Sequence, residues 1–407
     1  MTLLRLRVLV VFALGYLISY IYRGVNIGFS PFLTHDLGLN ATDLSVLTSV
    51  YFLGFAGAQV PAGVLLDYFG PRRVTASILL LATAGSLCFA LSHHMAAMTL
   101  GRLLIGVGSS ACLSGAFKAT AQHFPVQNLT LANGVVMALG GLGGVIVGAP
   151  LSWLLTIASW RTLSFALAAV TACVAAIIWI CATEGQAISA KSSIREQFSG
   201  TFHIIRSRAF WKVTAFSGLN QAVFYAMQSL WVGPFLRDVT FAGRVDASTQ
   251  ATIMVSLIGG AFISGNLCFG ALAKFIDHQI SVHAFSGLTM ALFVVVQALL
   301  AARAPIPPPI LCMAYGAFGS TGILTYAVLP ERFSPNLVGR VNTSLTLVIF
   351  IGIFVVQLAT GFALRQFSSQ GAYPPSVHQM IWSALILCQA VAAVWYFLPD
   401  TPRGSRP

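Results

Sequence analysis

The chain has 407 residues, of which 57% are hydrophobic and 8% charged, with a mean hydropathy of +0.85. A soluble domain carries roughly 25% charged residues, so this sequence cannot cover a water-facing surface and most of its outside must face lipid. The net charge of +12 is scattered over short loops rather than gathered on one face, which argues against a nucleic-acid partner and fits retention of Lys and Arg on the cytoplasmic side of a bilayer.

Apolar runs long enough to cross a membrane, about 17–25 residues each, predict twelve spans at 7–30, 43–66, 73–92, 97–123, 131–155, 162–183, 211–236, 249–273, 282–302, 309–329, 341–364 and 378–398. In lipid the backbone must satisfy its own hydrogen bonds, so these are helices. Continuous apolar runs also lack the alternation of a β-barrel. The expectation is an all-α membrane protein of twelve transmembrane helices in two pseudo-symmetric six-helix bundles. The first run is too long for a cleaved leader and carries Arg23, so it reads as a span. The seven cysteines all fall within apolar runs and none forms CxxC, which makes them small packing residues.

Span 1 places Tyr16, Ser19, Tyr20, Arg23 and Asn26 on one helix face. A polar stripe in a membrane helix faces a cavity or the bundle interior. No Asp or Glu lies inside a predicted span, all ten acids falling in loops or, like Asp43, at helix ends. Arg23 therefore either awaits an anionic cargo, which arginine grips with a two-pronged fork, or snorkels to headgroups at the outer interface. Span 2 adds Phe55 and Gln59 near the same depth.

GVLLDYFGPRR (63–73) follows. Gly63 permits close helix approach, and Asp67 sits where a carboxylate pairs with a cation or a helix N-terminus. Gly70 turns the chain, and Arg72 and Arg73 hold the loop inside. Span 4 opens on GRLLIGVG with Arg102, Gly106 and Gly108, and Lys118 comes 16 residues after Arg102. That spacing turns the two side chains roughly 160° apart, so they do not share one wall. Lys118 either pairs with Asp67 or snorkels. Span 5 carries GGLGGVIVGAPL (140–151), a pattern of close helix packing.

The longest polar connection, 184–210, lies midway. It divides the chain into an N-terminal six-helix bundle, 1–183, a cytoplasmic central loop, and a C-terminal bundle, 211–407. Span 7 offers Asn220, Gln221, Tyr225, Gln228 and Trp231, with Gln221, Tyr225 and Gln228 on one face, and span 11 adds Gln357. Each amide either binds cargo or bonds another helix. Segments of the two halves align: 15–33 without gaps to 218–236 at offset 203, sharing a PFL ending, and 123–134 to 332–343 at offset 209. Fourteen Lys and Arg fall in loops on the side of the termini and five on the other, with Arg23, Arg102 and Lys118 inside spans. This charge bias puts both termini in the cytoplasm of a multi-pass inner-membrane protein.

The loop motif at 63–73, the Arg102-x3-Gly106-x-Gly108 pattern and the two-half layout resemble the major facilitator superfamily. ISYIYRGVNIGFSPFLTHDLGLN (18–40) with GAQVPAGVLLDYFGPRR (57–73) is similar to its organic-anion and sugar-phosphate permeases. The resemblance implies secondary transport by alternating access. Arg23 would be the anion anchor, preceded three residues earlier by Tyr20, and Gly63, Asp67, Gly70, Arg72, Arg73, Arg102 and Lys118 would be gating elements. Tyr16, Asn26, Phe55, Gln221, Tyr225, Gln228 and Gln357 complete the expected site. Members that exchange phosphate carry a second arginine in span 7, where Ala226 stands at the position matching Arg23, so a carboxylate-type monoanion is favoured. Tyr22 replaces the acid that often precedes the arginine in proton-coupled symporters. The alternative is a proton-coupled multidrug or metabolite exporter, which the span 5 motif resembles. HExxH, GxSxG and clustered metal ligands do not occur, so no enzyme, cofactor or metal is expected. The expected partners are a small anionic substrate and the lipid bilayer, and the expected state is a monomer.

Overall fold

The computed structural model describes residues 3–183, 194–276, 280–334, 337–367 and 373–399. Every span among these residues is helical, and nine helices are long and apolar enough to cross a membrane, or ten when the bent pair in 132–157 counts as one span. Two further spans hide in the segmentation. The helix Ala41–Leu91 runs for 51 residues but is broken at Gly70, φ 80° and ψ 161°. At 1.5 Å per residue it is about 77 Å long, more than twice a bilayer core. It is two spans joined by a turn that needs a left-handed backbone. Span 7 is the irregular succession Arg208–Ala226, Met227–Trp231, Val232–Phe235 and Leu236–Thr240. Pro234 lies in it; a proline lacks the amide proton an α-turn needs, and π-turns flank it on both sides. Among the described residues the count is therefore twelve.

Span boundaries differ from the sequence reading where chemistry, not hydropathy, ends a helix. Span 1 runs Leu3–Gly24, pauses at Val25 and continues Asn26–Leu37. Pro31 cannot donate to the Ile27 carbonyl, and the Ser30 hydroxyl donates to it instead at 3.2 Å. Span 1 ends where Gly38 takes φ 65°. Span 2 starts on a capping box: Asn40 Oδ1 accepts from the amides of Thr42 and Asp43, and Asp43 Oδ2 accepts from the Asn40 amide. Inside the expected central loop, Ile194–Ile205 is a helix; residues 184–193 lie outside the described residues.

Both described ends of the chain sit at one end of the molecule. Arg5 Nε donates to His123 O at 2.9 Å, and Lys212 Nζ donates to Trp395 O and Leu398 O at 2.7 and 2.6 Å. We call this the terminal end. At the far end, Trp160 Nε1 donates to Asp36 Oδ2 at 2.9 Å, and Arg161 donates to the carbonyls of Ala90 and Ser92.

Spans 2 and 4 are packed almost backbone to backbone. A methyl group on Gly106 would overlap the Tyr51 carbonyl, and one on Gly101 would stand 2.7 Å from Gly85 O in span 3. Gly106→Ala is expected to cost about 1–3 kcal/mol by overpacking. Thermal unfolding of the purified protein in detergent checks this as a lowered midpoint.

The bundles meet along two seams. In one, a Cβ on Gly259 of span 8 would stand 2.5 Å from the Gly144 carbonyl carbon of span 5, and Ser256 Oγ donates to Val145 O at 3.0 Å. Ser256 Oγ also accepts from Ala149 N at 2.7 Å. It thereby caps a donor freed by the 49° break between the two helical pieces of span 5. In the other seam, Ser45 Oγ of span 2 donates to Gln357 O of span 11. Nearer mid-bundle, Phe55 stacks on Phe350 with centroids 4.0 Å apart. Direct contact between the halves thus runs from the far end to the middle.

Candidate functional site

Arg23 lies 20 residues after Leu3 and 14 before Leu37, so helix rise puts it about 30 Å from one end of span 1 and 21 Å from the other. The extension of span 1 to Leu37 thus moves Arg23 from the outer part of the span towards its middle. It is 5% exposed and lies inside the bundle. Its guanidinium carbon stands over three rings, Tyr20 at 4.8 Å, Tyr225 at 5.0 Å and Phe350 at 5.3 Å. These rings come from spans 1, 7 and 11, so both bundles build the pocket.

Among the described residues no carboxylate lies within ion-pair distance of Arg23. Its buried Nε has no hydrogen-bond partner. A charge at mid-bilayer costs about 2.5–3.5 kcal/mol even on the mildest scale. Each ring face returns about 0.5–2 kcal/mol, so three rings offset the charge. A ring offers no lone pair to an N–H, and a buried unmet donor still costs about 1–3 kcal/mol. The rings make Arg23 tolerable, the hydroxyls of Tyr16 and Tyr225 reach its guanidinium, and Nε is left to be completed.

The other expected residues fall into two groups. Around the guanidinium lie Tyr16 and Tyr20, in an edge-on pair at 6.2 Å, Tyr225, and Phe55 through its stack on Phe350. Tyr20 Oη donates to Gln228 Oε1 at 3.4 Å across the interface, while Gln228 Nε2 is buried without a partner. That amide is a second free donor near the arginine.

The second group is engaged elsewhere. Asn26 Nδ2 donates to Thr48 Oγ1 at 2.9 Å, nearer the far end. Gln221 Nε2 donates to Gly322 O in span 10 at 3.2 Å. Gln357 fits its surroundings with its nitrogen donating to Ala226 O at 2.7 Å and its oxygen accepting from Trp231 Nε1 at 3.1 Å. Span 7 thus presents a bonded carbonyl at Ala226, the position that matches Arg23.

Among the gating candidates, Asp67, Lys118, Arg72 and Arg102 bond within the N-terminal bundle. Lys118 pairs with Asp67, which resolves the two alternatives for it. Arg72 Nε donates to Trp179 O at 2.7 Å; Gly63 is half-buried, and Arg73 follows at the head of span 3. Arg102 is 1% exposed and donates to Leu47 O at 3.2 Å and Tyr22 O at 3.0 Å, tying spans 1, 2 and 4. The glycines of span 5 are packing surfaces: Gly143 abuts Tyr20, and Gly141, Gly144 and Gly148 abut span 8.

Sequence reasoning missed Phe350, Tyr51 and Phe262. Tyr51 Oη donates to Ser19 O at 3.1 Å, and Phe262 flanks Tyr20 at 6.1 Å and Tyr225 at 6.0 Å. An aromatic residue in an apolar run carries no mark that separates a site ring from a packing ring.

Comparison with known proteins gives a consistent picture. The sequence model of the Major Facilitator Superfamily matches residues 12–357. The chain is 24% identical over 275 residues to the hexuronate transporter of Bacillus subtilis (strain 168), covering 64% of each. It is 27% identical over 165 residues to the probable sulfoacetate transporter SauU of Cupriavidus necator, covering 40% of this chain and 38% of that one. The chain thus spans less than two thirds of the length of these relatives. In three dimensions it is similar to the crystal structure of the nucleoside transporter NupG, with a TM-score of 0.78 at 12% identity over 98% of this chain and 100% of that one. At that identity the likeness concerns the fold alone.

Proposed function

We propose, from the premise that the chain belongs to the Major Facilitator Superfamily, that this multi-pass membrane transporter carries a small organic monoanion by alternating access, with Arg23 as its anchor. The observation that carries the reading is the buried guanidinium with an unpartnered Nε and no carboxylate in ion-pair distance among the described residues. A carboxylate or sulfonate would complete the fork, and Gln228 Nε2 and the hydroxyls of Tyr16, Tyr20 and Tyr225 would meet cargo hydroxyls. The relatives' names, hexuronate and sulfoacetate transporter, support the same chemistry. We favour a hexuronate-type sugar acid, because a single arginine suits one negative charge and the surrounding hydroxyls suit a polyol.

The moving bodies would be 1–183 and 211–407, joined by 184–210, rocking about the site. The charge bias of the loops supports cytoplasmic termini and an inner-membrane location. Thermal unfolding of the purified protein tests the cargo class. Glucuronate at about 100 times its dissociation constant is expected to add roughly 2.7 kcal/mol of stability and raise the midpoint, while inorganic phosphate and a cationic dye leave it unmoved. A shift with the dye alone would overturn the reading.

A further inference from the structure

Span 7 ends at the far end in the π-turn Leu236–Thr240, which holds Asp238. Arg237 Nε and Nη2 donate to its two carboxylate oxygens at 2.6 and 2.8 Å. On the other side His378, four residues into the span 12 helix Pro375–Phe397, places Nε2 3.8 Å from Asp238 Oδ2. The imidazole side chain is 3% exposed and the carboxylate 13%, whereas Arg237 is 32% exposed. His378 Nε2 is buried without a hydrogen-bond partner. Phe235 and Tyr373 stand edge-on to the ring at 5.9 and 5.8 Å. The charged and titratable groups facing the pair are Arg237 on span 7 and Tyr373 from the connection before span 12.

This arrangement is unusual among the described residues. Asp67 already holds Lys118, Asp36 the Trp160 indole, and Asp43 the Asn40 amide. Here a buried imidazole stops about an ångström short of a bond with a half-buried carboxylate. Histidine changes charge between about pH 5 and 8, and an imidazolium bond to a carboxylate is roughly twice as strong as a neutral one. The carboxylate belongs to a π-turn, a form that occurs frequently at functional sites.

We infer that His378 and Asp238 form a proton-operated fastener that ties the irregular end of span 7 to span 12. A proton taken up on His378 Nε2 closes the 3.8 Å gap and holds span 7. Loss of that proton to water slackens the hold. The fastener is therefore tight in acid and loose as the imidazole becomes neutral. It lies away from Arg23 and does not depend on what the cargo is.

Hydrogen–deuterium exchange of the purified protein, without any cargo, tests it. After correction for intrinsic exchange chemistry, amides of 232–241 are expected to exchange about fivefold more slowly near pH 5.5 than near pH 8, the factor one ion pair supplies. His378→Gln keeps the size and polarity of the ring without its titration and is expected to abolish the difference. Asp238→Asn is expected to do the same, and carries the test should His378→Gln fail to fold. A difference that persists in either folded variant, or its absence in the native protein, overturns the inference and leaves the transport reading standing.

Discussion

Arg23→Ala is expected to lower the initial rate of glucuronate uptake into proteoliposomes by about 100-fold or more, the equivalent of roughly 2.7 kcal/mol. Two charge-assisted bonds to one carboxylate, each about 1.5–3 kcal/mol, are lost together, and nothing nearby replaces them. Arg23→Lys keeps a positive charge but loses the planar fork and its fit against three rings. It should retain roughly a tenth of the native rate. Truncation also relieves the cost of a buried charge, so Arg23→Ala should be at least as heat-stable as the native protein. Rising stability with falling transport marks a residue kept for cargo and not for folding. Native uptake in both variants would remove Arg23 from the site.

The second large effect is expected at Gly259. A side chain there would press on Gly144 C, Val145 N and Gly144 O at 2.5, 2.6 and 2.7 Å. All three are main-chain atoms within a helix and cannot swing aside. Gly259→Val therefore holds spans 5 and 8 apart and keeps the far end from closing. Uptake should fall below detection, while the two bundles, whose internal packing is untouched, still insert. Thr48, wholly buried and bonded to Asn26, reports the change. In a background with its native cysteines replaced, Thr48→Cys should resist an impermeant maleimide added from the far side, and react once Gly259→Val is present. If the cysteine stays protected and uptake persists, the seam does not close by backbone contact.

The difference between what was legible in the sequence and what was not has a physical cause. The bilayer imposes length and apolarity, so the spans and their order could be read directly. The turn at Gly70 was marked by its neighbours in the loop motif, and Arg23 by the scarcity of charge around it. Helix ends were less visible: the continuation of span 1 to Leu37 depends on how Ser30 covers the carbonyl that Pro31 leaves open. The neighbours of Arg23 were half visible. Tyr20 sits one turn away on the same helix, whereas Phe350 arrives from span 11 and looks like any other phenylalanine in VIFIGIF. Gln357 stood out as polar in an apolar run, but the indole of Trp231 and the Ala226 carbonyl engage it here. His378 was hidden by its ordinary surroundings, because only folding brings it to Asp238.

Arg102 binds the carbonyl oxygens of Leu47 and Tyr22, not their side chains. Every amino acid brings the same carbonyl, so the two acceptor positions are free to mutate without loosening this tie. The donor has no such liberty, since no other residue reaches two separate main chains with a permanent positive charge. A change at position 22 or 47 therefore acts through packing, where both side chains are wholly buried, and leaves this tie in place, whereas a change at position 102 removes it.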